Sequence, residues 1–233
     1  MRVPLVSLSL SAATACSFSA ASPDGAPGDS WALADGPSQG DGGDPSDGRF
    51  DASPDAAPVT TLHLAVADTF LAIAIPGAGF GSQTSALADA DDNECTILLR
   101  FDLSSLPQPT TILNAKLVLW THEDEGRDVE VYPVFEDWDE SQATWNSRSN
   151  GVAWTAQGAR PPSRGTVPLG SVRADESFRR YEIPLNAGIL NSGIAHLPKG
   201  LAIATSDNDG VRFITRESGT VDATPTLHLT HVP

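Results

Sequence analysis

Hydrophobic and polar positions divide the chain into two stretches with different periods. From residue 59 onward, short runs of β-branched and apolar residues alternate with polar ones, and Gly, Pro, Asn and Asp punctuate them. Alternation with a period of two is the mark of half-buried strands. The runs predict strands over residues 60–66, 68–72, 84–88, 95–102, 112–120, 128–135, 179–183, 200–205, 211–215 and 226–231. Within 95–102, Cys95, Ile97, Leu99 and Phe101 fall on one face and Thr96, Leu98, Arg100 and Asp102 on the other. Within 112–120, Ala115, Leu117 and Leu119 oppose Lys116, Val118 and Trp120. Both strands carry apolar residues on each face, as strands near a sandwich centre do. Helical periodicity is confined to a turn near 185–190. The pattern specifies an all-β domain over 59–233, a two-sheet antiparallel, jelly-roll-like β-sandwich, and excludes a helical bundle and a parallel βαβ sheet.

The stretch before residue 59 has no such rhythm. Residues 17–58 hold eight Asp, seven Gly, six Pro and one basic residue, Arg49. This composition buries too little surface to offset the entropy of ordering, so a disordered acidic linker is expected. Residues 1–16 run from Arg2 through a short apolar stretch to Ala13-Thr14-Ala15-Cys16, the order of a signal peptide. The last four residues resemble a bacterial lipobox, which makes Cys16 a candidate lipidation site. Cleavage before Cys16 with plain secretion is a second processed form, and an unprocessed N-terminus is the alternative to both. Either processed form places the mature protein outside the cytoplasm, extracellular or on the outer envelope, and touching a membrane only through a lipid on Cys16.

Charge narrows the partners. The chain carries 30 acidic and 14 basic residues, a net charge of −16, and residues 59–233 alone carry −10. Nucleic acid and anionic lipid are repelled by such a surface. Two cysteines cannot build a disulfide framework. Cys95 reads as a small buried hydrophobe. A monomer is expected, with no required cofactor.

Candidate chemistry is sparse. No nucleophile elbow, His-Glu-x-x-His or phosphate loop occurs, and the five histidines, His63, His122, His196, His228 and His231, are scattered. Glu136, Asp137, Asp139 and Glu140 lie too close in sequence for a glycosidase pair, whose members flank a cleft. Trp120 and Trp154 are candidate platforms for stacking on a sugar ring. Arg160, Arg164, Arg173, Arg179 and Arg180 form a cation-rich stretch that suits carboxylate recognition, or that pairs with Asp175, Glu176 and Glu182 at the surface. Asp89 and Asp91 in one acidic loop and Asp207 and Asp209 in another offer oxygen ligands to a structural Ca²⁺, or serve as hairpin turns.

Several segments occur in a recognisable order: Ala67-Asp68-Thr69-Phe70, Gly79-Phe80-Gly81-Ser82, Leu98-Leu99-Arg100-Phe101-Asp102-Leu103, Ala115-Lys116-Leu117-Val118-Leu119, Trp138-Asp139-Glu140 with Thr144-Trp145-Asn146, and Phe213-Ile214-Thr215-Arg216-Glu217. Together they resemble the DNRLRE-type β-sandwich domain, also described as carbohydrate-binding module family 96 and related to disaggregatase repeats. The resemblance implies a non-catalytic extracellular module, with an acidic polysaccharide such as alginate as one class of ligand. It leaves Trp138, Glu140, Thr144 and Trp145 as a structural motif of the fold rather than a sugar platform. A structural or protein-interaction domain of the envelope is the competing reading.

Overall fold

The structure is a computed structural model that describes residues 57–123, 126–192 and 199–233. The signal peptide, Cys16 and nearly all of the acidic linker fall outside the described residues, as do His196 and the side chain of Asp91. The described residues form twelve strands: β1 (Val59–Ala72), β2 (Ser85–Ala88), β3 (Cys95–Phe101), β4 (Thr111–Glu123), β5 (Arg127–Pro133), β6 (Ser147–Ser149), β7 (Val152–Ala153), β8 (Gly170–Ala174), β9 (Arg180–Leu185), β10 (Leu201–Thr205), β11 (Val211–Ile214) and β12 (Thr226–Val232). Among the described residues the one α-helix, α1, spans Ala187–Ser192, and four short 3-10 turns accompany it. No helix among the described residues is long and apolar enough to cross a membrane.

All pairings are antiparallel, and β1 belongs to both layers of the sandwich. Its first half pairs with β12, whose other edge meets β4, and β4 in turn pairs with β9. Its second half pairs with β3, followed by β10, β5 and β8. The change occurs at a bulge between Ala65 and Ala67. A bulge inserts one unpaired residue and bends the strand, so the side-chain phase flips across it. His63 and Ala65 are therefore buried before it, Phe70 and Ala72 join Ala65 in the main core after it, and Asp68 is buried as well. The two sequence-predicted strands 60–66 and 68–72 are one strand broken by this bulge.

Leu117, Leu119, Ile183 and Leu227 of one layer meet Ile97, Leu99, Val131 and Ile203 of the other to form the main core. A second apolar cluster covers the outer face of the β1–β3–β10 layer. There Trp138, Trp145 and Trp154 pack over Ala67, Leu71, Leu98 and Ala202. This cap explains why β1 alternates between exposed and buried up to Val66 and is buried on both faces beyond it. The Trp138 indole donates to the Lys199 carbonyl at 2.6 Å, and the Trp154 indole to the Thr144 carbonyl at 2.9 Å. Gly158 lies under the Trp145 ring at φ 72°, where a Cβ would strike the indole. Only glycine combines that backbone angle with that clearance.

Three strands escape the sequence pattern. β6 and β7, five strand residues in all, form a small hairpin within the cap segment, and β8 is an edge strand that opens on Gly170. Such strands are too short to show alternation. The helical turn expected near 185–190 is α1, and Asn191 at its end makes two bonds to the backbone of Ile112, at 2.9 and 2.8 Å.

Candidate functional site

Two places on the sandwich bring side chains together in ways that packing does not require. The first is an open groove of about 550 Å³ where the end of β4 meets the turns before β9 and after β11. Trp120 and His122 project from the same face of β4, and Phe178 comes from the turn that leads into β9. The imidazole of His122 and the ring of Phe178 meet edge to face, with centroids 5.4 Å apart. Phe178 is 67% exposed and has φ 55°, an angle a bulky residue seldom adopts without a local reason. Thr84, Ser218, Thr220 and Asp222 supply hydroxyl and carboxylate groups around the rings. Trp120 stands half-buried, and its indole N–H has no partner. Of the sequence candidates Trp120 is therefore placed in a groove, and His122 and Phe178 join it. Phe178 had a usable signal: a phenylalanine between Asp175-Glu176-Ser177 and Arg179-Arg180 has no apolar neighbours with which to enter a core.

Trp154 is a correction. It is 4% exposed and part of the cap, so it offers no face to a ligand. A hollow of about 660 Å³ beside the loop after β3 is larger than the aromatic groove, but its one ring, Phe101, is 3% exposed.

The arginine stretch does not form a patch of unpaired charge. Arg160 pairs with Glu94 through two nitrogens and lies 5.0 Å from the Trp145 ring centroid. Arg179 pairs with Glu176, and Arg180 with Glu182. Arg173 lies 3.7 Å from Asp128 at a well-exposed position. Arg164 stacks at 4.1 Å over Tyr132, with Nε and Nη1 buried and without acceptors. Burial holds its guanidinium below the usual value.

The second place is a nest of carboxylates at the β1 bulge. Asp68 is 1% exposed. Its backbone N–H donates to Glu140 Oε1 at 2.7 Å, and its Oδ2 accepts the Arg216 backbone N–H at 2.9 Å. The Arg216 side chain pairs with Glu140 and, at 2.9 Å, with Glu217. Asp68, Glu140 and Glu217 each bring one oxygen within 4.8 Å of the others. Asp68 Oδ1 and Glu217 Oε2 are buried without a donor. Burial, and next the neighbouring Glu217, push the Asp68 carboxyl up to about 8. Gly81 holds Glu140 from behind, since a Cβ there would collide with the Glu140 carbonyl and Cγ. Nothing short of the fold brings positions 68, 140 and 217 together, although each lies in a segment that carries the family resemblance.

The two acidic loops behave differently. Asp89 accepts its neighbour Ala90 N–H at 2.8 Å, Asp207 accepts the Asp128 N–H at 3.3 Å, and Asp209 pairs with Arg127. Their described members do not converge as the Asp68 group does. The other acidic residues near the cap are engaged: Glu136 with Arg148, Asp137 with Lys199, and Asp139 with the backbone and hydroxyl of Ser141. Cys95 is 5% exposed and burial pushes its thiol up to about 12, so no thiolate forms there near neutral pH.

An antiparallel sandwich with an open aromatic groove beside the end of β4 has the architecture of a β-sandwich module. The chain belongs to carbohydrate-binding module family 96, whose family model matches residues 59–231. No curated protein matches the chain.

Proposed function

We propose that this protein is a non-catalytic carbohydrate-binding module that holds an extracellular polysaccharide in the groove of Trp120, His122 and Phe178. The groove is the observation that carries the reading: exposed aromatic surface ringed by hydroxyls is what a pyranose, apolar on its faces and polar at its rim, requires. Lys and Arg are missing from its lining, so hydroxyl-rich neutral glycans fit it better than polyuronates. Acidic polysaccharide finds support only in Arg164, the one cation of the 160–180 stretch that forms no salt bridge. The N-terminal pattern supports export, a lipid on Cys16 and an acidic tether that carries the module clear of the envelope, most simply as a monomer.

Titration of the purified protein with neutral and acidic polysaccharides tests the proposal. Phe178→Ala should weaken glycan binding by on the order of tenfold while leaving the melting temperature unchanged, because the ring is a solvent-facing anchor. Trp120→Ala should weaken it at least as much. Binding that survives both substitutions places the ligand elsewhere. No binding to any polysaccharide moves the function to an envelope scaffold.

A further inference from the structure

The carboxylate nest has a charge imbalance that the protein's own groups do not correct. Asp68, Glu140 and Glu217 contribute three negative charges when ionised, and Arg216 returns one positive charge. With all three ionised two negative charges remain over, and one remains when Asp68 holds a proton; the two oxygens without donors, Asp68 Oδ1 and Glu217 Oε2, are both cut off from water. A buried carboxylate oxygen with no partner is costly. A proton shared between Asp68 and Glu217 would serve both oxygens but leave one charge over. A divalent cation would satisfy both oxygens and cancel the charge.

The donor set specifies the kind of cation. All three donors are carboxylate oxygens, which favour hard cations over zinc or copper. Oxygens on opposite sides of Ca²⁺, each at about 2.3–2.6 Å, stand about 5 Å apart, and the three oxygens here fit within 4.8 Å of one another. We propose that Asp68, Glu140 and Glu217 bind one Ca²⁺, with Asp68 Oδ1 and Glu217 Oε2 as ligands that nothing else in the fold uses.

This ion fastens three segments: the bulge of β1, the tryptophan cap through Glu140, and the turn after β11 through Glu217. Ser218, Thr220 and Asp222, which follow Glu217 in the chain, form a wall of the aromatic groove. Cation binding thus stiffens the groove without contributing a ligand to it. The proposal does not depend on the identity of the glycan, and its test uses none.

Calorimetric titration of the full chain with CaCl₂ after chelator treatment should show one saturable site, and the melting temperature should rise with Ca²⁺ concentration. Glu217→Gln should weaken the site by on the order of tenfold or more, and Asp68→Asn should do the same. Asp68→Asn should also melt no lower than the native chain in chelator, because it keeps the shape and takes an ionisable group out of the buried nest. Asp207→Asn with Asp209→Asn should leave the site intact, which separates it from weak binding at surface loops. The proposal is overturned if no saturable site is found, or if a site persists unchanged in both Glu217→Gln and Asp68→Asn.

Discussion

The arginine stretch from 160 to 180 and the carboxylate nest around Asp68 are opposites in how they are built. In the first, like charges lie close along the chain, and folding separates them onto the cap, β8 and the start of β9, each taking a local partner or a ring. In the second, like charges lie far apart along the chain, and folding drives them together and out of water. Exposed pairs relax to whatever counter-ion is nearby and are worth little. Converging buried charges have no such freedom, and something must hold them. Density of charge in sequence is thus a poor guide to a site, and convergence under burial is a better one.

Removing Glu140 should break this contrast most strongly. Glu140→Ala leaves the Asp68 N–H without its acceptor and the Arg216 guanidinium without one partner, so a loss of about 2–3 kcal/mol is expected in chemical denaturation. A loss under about 0.5 kcal/mol would put the nest in the same class as a surface pair. Arg160→Ala, the best-held member of the arginine stretch, forfeits a two-nitrogen pair with Glu94 and its place beside Trp145, with an expected cost of about 1 kcal/mol. Arg173→Ala, whose partner is 3.7 Å away and exposed, should stay within about 0.5 kcal/mol of the native chain.

The alternation of Cys95–Phe101 and of the β4 core residues was legible in the sequence, because a period of two is a local property. The resemblance likewise located the domain over nearly its full length. Both apolar faces of β3 were visible, yet what covers its outer face was not, since the cap arrives from residues 138 to 159 and leaves no periodic trace. Trp154 was misjudged for that reason: nothing in the neighbourhood of a single tryptophan tells a platform from a plug. The bulge between Ala65 and Ala67 showed only as a lapse in the pattern, although it is what turns Asp68 inward. The nest was invisible because its members share no segment and no spacing. The aromatic groove is half visible, through Trp120, while Phe178 stands among charged residues with no periodic neighbour to mark it.

The weakest test concerns the solvent-facing side of the β12–β4–β9 layer, where cations and an acid share open ground. His228 on β12 lies opposite Lys116 on β4, and Lys116 pairs with Glu182 on β9, which also holds Arg180. Burial first, then Lys116 and Arg180, hold the His228 imidazole below its ordinary value, against the pull of Glu182. The unfolded chain therefore takes up the proton before the folded one as pH falls. Stability from this group is complete above the ordinary histidine value of about 6.5 and declines as pH drops through it to the lower folded value. Because His228 is only half-buried the effect is small, and salt should reduce the share due to Lys116 and Arg180 while leaving the share due to burial. Melting curves of the native chain and His228→Gln between about pH 8 and 5 should diverge towards acid, with the native chain falling more steeply. Parallel curves would show that this open face, unlike the nest, imposes no preference on the charge it carries.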